Sequence, residues 1–215
     1  MEFFRRSAVR PTRLAVLPGT FNPPTRAHLA LARAAFLAAD EVAFVLPRVF
    51  PHKGYAGASF EERVGMLEAI ARNEPRFSIA ATQGGLFADI ARACRAAYPP
   101  RIRLYIVCGG DAAHRAIHWD YGAPGAFAKM MEEFEMLVAD RGEVFVPPPG
   151  LEHRIHPLPI DASYAEISAT EVRERILRGA AWKHLVPDEI VGTVLEIFGR
   201  RALGDRCERD SPAAS

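Results

Sequence analysis

Apolar positions fall into two kinds of segment that alternate along the chain. Short runs, apolar at nearly every position, occur at residues 14–17, 42–46, 77–81, 104–108 and 136–139, with a further extended stretch at 155–160. Such runs predict strands buried on both faces. Longer segments between them, at residues 27–39, 59–72, 87–97 and 126–133, predict helices. Ser59 and Glu62 have the spacing of a capping box, and Met66, Leu67 and Ile70 supply the apolar face behind it. Two more helices are predicted at the end. One spans residues 169–178, after Ser168 and before Gly179; the other spans 187–198, with Pro187 first, Asp188 and Glu189 in its first turn and Gly199 as its stop. Strands alternating with helices imply βαβ units. The expected fold is α/β, a doubly wound, mainly parallel sheet with a small C-terminal helical piece. A single domain is expected over residues 11–200, its helical part over 165–200, with flexible tails at 1–10 and 204–215. The Pro147-Pro148-Pro149-Gly150 run reads as a loop inside that domain.

Composition narrows the function. Of 215 residues, 27 are Lys or Arg and 26 Asp or Glu, a formal charge of +1. A chain that binds nucleic acid over its whole surface is usually strongly basic, so nucleic acid is not an expected partner. A local basic pocket remains compatible with this balance. Cys94, Cys108 and Cys207 are far apart and without C-x-x-C spacing, which points away from a disulfide framework and toward a reducing compartment. The first thirteen residues lack an apolar signal stretch of about 7–15 residues. Nor is there an uncharged apolar run of about 18 residues, so no membrane partner is expected. A cytoplasmic protein follows as the expectation.

The chemistry-bearing segments follow strands. Gly19-Thr20-Phe21-Asn22-Pro23-Pro24-Thr25-Arg26-Ala27-His28 lies between the run at 14–17 and the helix at 27–39. In an open parallel sheet, ligands bind at the carboxyl ends of strands. Gly19 lets backbone approach a ligand closely. With Thr25 as cap, His28 falls in the first turn of the helix, near free N–H groups that favour an anion such as phosphate. The same spacing also suits a proline-stiffened turn with an incidental histidine. Pro51-His52-Lys53 follows the second run, where a lysine can serve as a mobile point charge or be solvated. Gly109-Gly110-Asp111 follows the fourth, placing a carboxylate beyond two glycines. Ile167-Ser168-Ala169-Thr170-Glu171-Val172-Arg173 opens another helix. There Ser168 and Glu171 have capping-box spacing, and Ser, Thr and Arg could cradle a second phosphate. His114 and His118 read as surface or supporting residues. Glu152, His153 and His156 make no H-E-x-x-H pattern, so no protein-bound metal site is expected.

These four segments, in this order, resemble the Rossmann-like nucleotidylyltransferases, in which a G-[ST]-F-[DN]-P stretch precedes an [HT]-x-x-H pair. Pro51-His52-Lys53, the Arg63-x-x-Met66 pattern, Trp119 and Val186-Pro187 are similar to the nicotinate/nicotinamide mononucleotide adenylyltransferases. Thr25 stands where bacterial members usually have His, and Ala27 where they have Gly. Gln83-Gly84-Gly85-Leu86-Phe87 stands where the nicotinate enzymes commonly open a helix with Tyr-Thr. The resemblance implies transfer of AMP from ATP to the phosphate of a pyridine mononucleotide, with Mg²⁺ delivered by ATP. It implies catalytic roles for His28, Thr25, Lys53 and Arg173. ATP contacts are implied for Gly19, Thr20, Phe21, His28, Gly109, Asp111, Ile167, Ser168, Thr170 and Arg173, and acceptor contacts for Asn22, Lys53, Trp119 and Arg141. The choice between nicotinate and nicotinamide stays open, as does homo-oligomerisation. Two alternatives keep part of this reading: nucleotidyl transfer to another phosphorylated acceptor such as phosphopantetheine, or a nucleotide-binding regulator without turnover.

Overall fold

The computed structural model describes residues 1–49, 57–140 and 145–200. Its strands are β1 (Glu2–Arg5), β2 (Arg13–Pro18), β3 (Glu41–Pro47), β4 (Phe77–Thr82), β5 (Arg103–Gly109), β6 (Glu135–Ala139) and β7 (Ile155–Leu158). Among the described residues they form a seven-stranded sheet in the order β1-β4-β3-β2-β5-β6-β7. Neighbours are parallel except β1 and β4. From β2 the chain steps outward through β3 and β4, then returns past β2 to β5, β6 and β7. This is the doubly wound, mainly parallel sheet expected from the sequence. The reversal opens a crevice between the carboxyl ends of β2 and β5.

Helices cover both faces: α1 (Arg26–Ala34), α2 (Phe60–Ala71), α3 (Phe87–Ala97), α4 (Gly110–Ile117), α5 (Ala126–Met130), α6 (Ala169–Arg178) and α7 (Val191–Val194). Successive strand residues face opposite sides, so each apolar run feeds two cores. Leu14 and Val16 join Ile90 and Cys94 of α3 on one face. Ala15 and Leu17 join Leu31, Leu67, Val172 and Ile176 from α1, α2 and α6 on the other. All seven residues of β3 are buried, which is why its sequence shows no alternation.

Several elements differ from expectation. Residues 1–10 are expected as a tail, yet Glu2–Arg5 form an edge strand on β4. Phe3 packs against Tyr98 on one face and Phe4 against Phe60 on the other, at ring separations of 5.9 and 5.7 Å. Two adjacent aromatics serving two faces give no periodic signal. The register of β1 shifts between Phe3 and Arg5. At the opposite edge, β7 carries Pro157. A helix that the sequence does not announce follows the run at 104–108: Gly109 ends β5 and caps α4, which begins at Gly110. The helix expected over 187–198 is three short pieces, a 3₁₀ turn at Asp188–Ile190, α7, and a π turn at Leu195–Gly199. The capping box of α2 is present, Glu62 N–H donating to Ser59 Oγ at 3.1 Å and Ser59 N–H to Glu62 Oε2 at 2.6 Å. Only half of the box expected on α6 forms. Ser168 Oγ accepts the Glu171 N–H at 3.1 Å, while the Glu171 carboxylate accepts from Arg175 Nε at 2.5 Å. The tail expected at 204–215 lies outside the described residues.

Candidate active site

The loop joining β2 to α1 lies at the mouth of the crevice. Gly19 N–H donates to Val45 O at 3.0 Å, tying the loop to β3. Phe21 takes a positive φ of 49°, and the Asn22–Pro23 bond is cis. The Phe21 ring is fully buried, 5.6 Å from the Phe44 ring and 5.2 Å from the His28 imidazole. It lies directly over Gly19, where a Cβ would stand 2.9 Å from Phe21 Cζ. Glycine at 19 is therefore the condition for this ring position.

Thr25 caps α1 in an unusual box with His28 in place of an acidic residue. Thr25 N–H donates to His28 Nδ1 at 3.0 Å, and Thr25 Oγ1 lies 2.7 Å from the same nitrogen. His28 N–H points back to Thr25 Oγ1 at 3.4 Å. Because Nδ1 accepts a backbone amide, the neutral ring carries its proton on Nε2. The cap thus fixes both the position and the tautomer of the imidazole.

The first turn of α6 meets this loop through Arg173. Its Nη1 donates to Asn22 O at 2.6 Å and to Ala169 O at 3.2 Å, and its Nη2 donates to Thr170 Oγ1 at 3.2 Å. Burial lowers the pKa of this guanidinium. Two helix N-termini and a cation, 151 residues apart in the chain at the Asn22–Arg173 contact, are thereby brought together. Ser168 caps α6, Thr170 is exposed in its first turn, and Ile167 is half-buried, its N–H donating to Tyr164 O at 3.2 Å. Asn22 is itself buried, and its Oδ1 accepts the Ala58 N–H at 2.9 Å. That amide clamps the segment leading into α2.

β5 lies beside β2, so Gly109, Gly110 and Asp111 emerge on the other wall of the crevice. Gly109 caps α4 and Asp111 is exposed in its first turn. Trp119 follows the far end of α4, roughly 12 Å along the helix axis from that turn. Lys53 and Arg141 lie outside the described residues.

Two cations escaped the sequence reading as parts of this loop. Arg63, only 4% exposed, donates from Nη1 to Thr20 O at 3.0 Å and from Nε to Ser59 O at 3.2 Å. Arg26 donates to Val186 O at 3.0 Å and pairs with Asp188 at 2.7 Å, fastening α1 to the C-terminal piece. The signal for Arg63 was its spacing to Met66; for Arg26 it was adjacency to the cap. The remaining histidines serve elsewhere. His156 Nε2 lies 2.6 Å from Glu135 Oε2 at the amino end of the sheet, and His118 Nδ1 lies 2.8 Å from His114 O. Among the described residues, no three His, Cys, Asp or Glu side chains stand close enough to hold a metal ion.

Comparison with known proteins gives this geometry a context. The family described as cytidylyltransferase-like matches residues 16–175. A protein of Gloeobacter violaceus, named "Probable nicotinate-nucleotide adenylyltransferase", is 30% identical over 85% of this chain and 93% of its own. One of Marinobacter nauticus with the same name is 29% identical, over 82% of this chain and 91% of its own. Among solved structures, the Plasmodium falciparum nicotinic acid mononucleotide adenylyltransferase complexed with NaAD aligns with a TM-score of 0.65. It shares 17% identity over 86% of this chain and 95% of its own, a likeness of fold.

Proposed function

Since the chain belongs to the cytidylyltransferase-like family, and within it to the nicotinate-nucleotide adenylyltransferases, we propose that it moves AMP from ATP to the phosphate of nicotinate mononucleotide. The products are the dinucleotide and pyrophosphate. An oxygen of the acceptor phosphate forms a bond to the α-phosphorus, and the bond from that phosphorus to the bridging oxygen of pyrophosphate breaks. The attacking phosphate is already ionised at neutral pH, so no general base is needed. Catalysis then rests on alignment and on stabilising charge at the transferred group.

The observation that carries this reading is the Thr25–His28 box joined to the first turn of α6 by the Arg173–Asn22 contact. In it, the Nε2–H of His28 donates to an α-phosphate oxygen, while Thr25 holds the ring. Gly19, Thr20 and Phe21 offer backbone to the triphosphate. Ser168, Thr170 and Arg173, with Ile167 before them, hold its β and γ groups. Gly109 and Asp111 take the ribose. Mg²⁺ enters as part of the substrate, carried on the triphosphate oxygens; the cationic and N–H character of the described site suits phosphate rather than a metal cage. From the resemblance, Lys53 reaches the phosphates, and Asn22, Trp119 and Arg141 serve the acceptor. The described residues include no helix long and apolar enough to cross a membrane. The free, buried thiols of Cys94 and Cys108 support a reducing, cytoplasmic setting.

The test is pyrophosphate release with MgATP and, side by side, nicotinate mononucleotide, nicotinamide mononucleotide and phosphopantetheine. Release with the nicotinate substrate at the highest kcat/KM is expected. No release with any acceptor would overturn the proposal, and preference for phosphopantetheine would transfer it to the alternative acceptor.

A further inference from the structure

Arg63 lies outside every set of substrate contacts assigned above, yet it is the more deeply set of two guanidinium groups gripping the β2–α1 loop. Its side chain comes up from the first turn of α2 and donates to the Thr20 carbonyl at 3.0 Å and the Ser59 carbonyl at 3.2 Å. At 4% exposure it is nearly cut off from water. A buried guanidinium is stable only where its donors are satisfied, and here they are turned on main-chain oxygens. Arg173 grips the same loop at Asn22 O, but the peptide it holds precedes Pro23 and has no N–H to present. The Thr20–Phe21 peptide does have one. It is trans, so its C=O and N–H point in opposite directions. Pinning the Thr20 oxygen toward α2 turns the Phe21 N–H away from it. α2 packs on the β4 side of the sheet, and β5 lies on the opposite side of β2. The crevice between β2 and β5 lies on that opposite side. The positive φ of Phe21 makes this the bend of the loop.

We propose that Arg63 is a positioning residue for the nucleoside triphosphate: through the Thr20–Phe21 peptide it aims the Phe21 N–H at a phosphate oxygen, and it places a buried positive charge beneath the loop. This deepens the adenylyl-transfer reading and rests on it. A lysine at 63 keeps the charge but has a single head that cannot span both carbonyls in fork geometry. A methionine removes both donors and keeps most of the bulk.

The experiment measures kcat and both KM values for wild type, Arg63→Lys and Arg63→Met, with ATP affinity by calorimetry and melting temperature on the same preparations. The expected result is a fall in kcat/KM for ATP of about 10- to 100-fold, larger for Met than for Lys. KM for the acceptor should change by less than about twofold. Wild-type kinetics in Arg63→Lys would overturn the assignment. So would losses shared equally by both substrates that merely track the folded fraction, since that is the pattern of a structural prop. Should Arg63→Met fail to fold, Arg63→Lys carries the test. A wild type without turnover would sink the adenylyl-transfer reading instead, while weaker ATP binding by Arg63→Lys would still support the role of the arginine.

Discussion

Replacing Gly19 by alanine adds one methyl group at the most crowded point of the loop. The new Cβ would stand 2.9, 3.0 and 3.2 Å from Cζ, Cε1 and Cε2 of Phe21. Carbon atoms in comfortable contact sit about 3.5–4.0 Å apart, so the ring must retreat by roughly 0.6 Å or more. It has no free space, being fully buried between the rings of Phe44 and His28. Overpacking of this kind costs about 1–3 kcal/mol. The retreat also presses on the imidazole or on the loop that holds it. Since a misplacement of about 1 Å can cost about 100-fold in rate, part of that displacement should lower kcat by roughly 10- to 100-fold. Denaturant unfolding and pyrophosphate release on one preparation read both effects. Gly65→Ala is the matched control. Gly65 is exposed within α2 and a Cβ there meets nothing within 4 Å, so about 1 kcal/mol of added stability and unchanged turnover are expected. A Gly19→Ala variant as stable and as fast as wild type would refute the claim that this glycine sets the ring and, through it, the histidine.

His28→Ala should lower kcat by about 100-fold or more with a smaller change in ATP binding, and near-normal turnover would remove the imidazole from the mechanism. Arg173→Ala should weaken ATP binding about tenfold; unchanged affinity by calorimetry would leave the guanidinium only its tie to Asn22 O. Asp40 gives a test of acid stability. The hydrogen bond from Arg13 holds its carboxyl down from 3.8 to about 2. A depressed carboxylate stabilises the fold in full above its unfolded value and loses that contribution as pH falls toward the folded one. Wild type should therefore exceed Asp40→Asn in unfolding midpoint above about pH 4, and the gap should shrink toward pH 2. A gap that stays constant across that window would show that the Arg13–Asp40 pair is not its source.

The parts of this fold that were legible in the sequence are those whose signal is local. The run at 104–108 is apolar throughout because β5 is covered on both faces, and Ser59 with Glu62 marks the start of α2 because a capping box involves only neighbours. The Thr25 and His28 pair could be read for the same reason, although its reciprocal hydrogen bonds could not. β1 was missed because Phe3 and Phe4 serve opposite cores, so neither face repeats. α4 was missed because its N-cap, Gly109, and its first residue, Gly110, are glycines with no side chain to announce a cap. Arg63 and Arg26 are harder cases. They bond main-chain oxygens 43 and 160 residues away. A carbonyl has no residue identity, so such a bond leaves no pair of complementary letters to find. Glu171 shows the converse, a correct spacing whose acid was taken by Arg175 instead.

The two ends of the sheet bear on how the protein behaves when concentrated. An open row of backbone groups invites a strand from another molecule. On β7, Pro157 removes a donor from that row; on β1, the irregular register between Phe3 and Arg5 breaks its spacing, and Glu2 and Arg5 add charge. Neither margin offers an incoming chain a regular template, so crowding at high protein concentration should not convert this sheet into a growing ribbon.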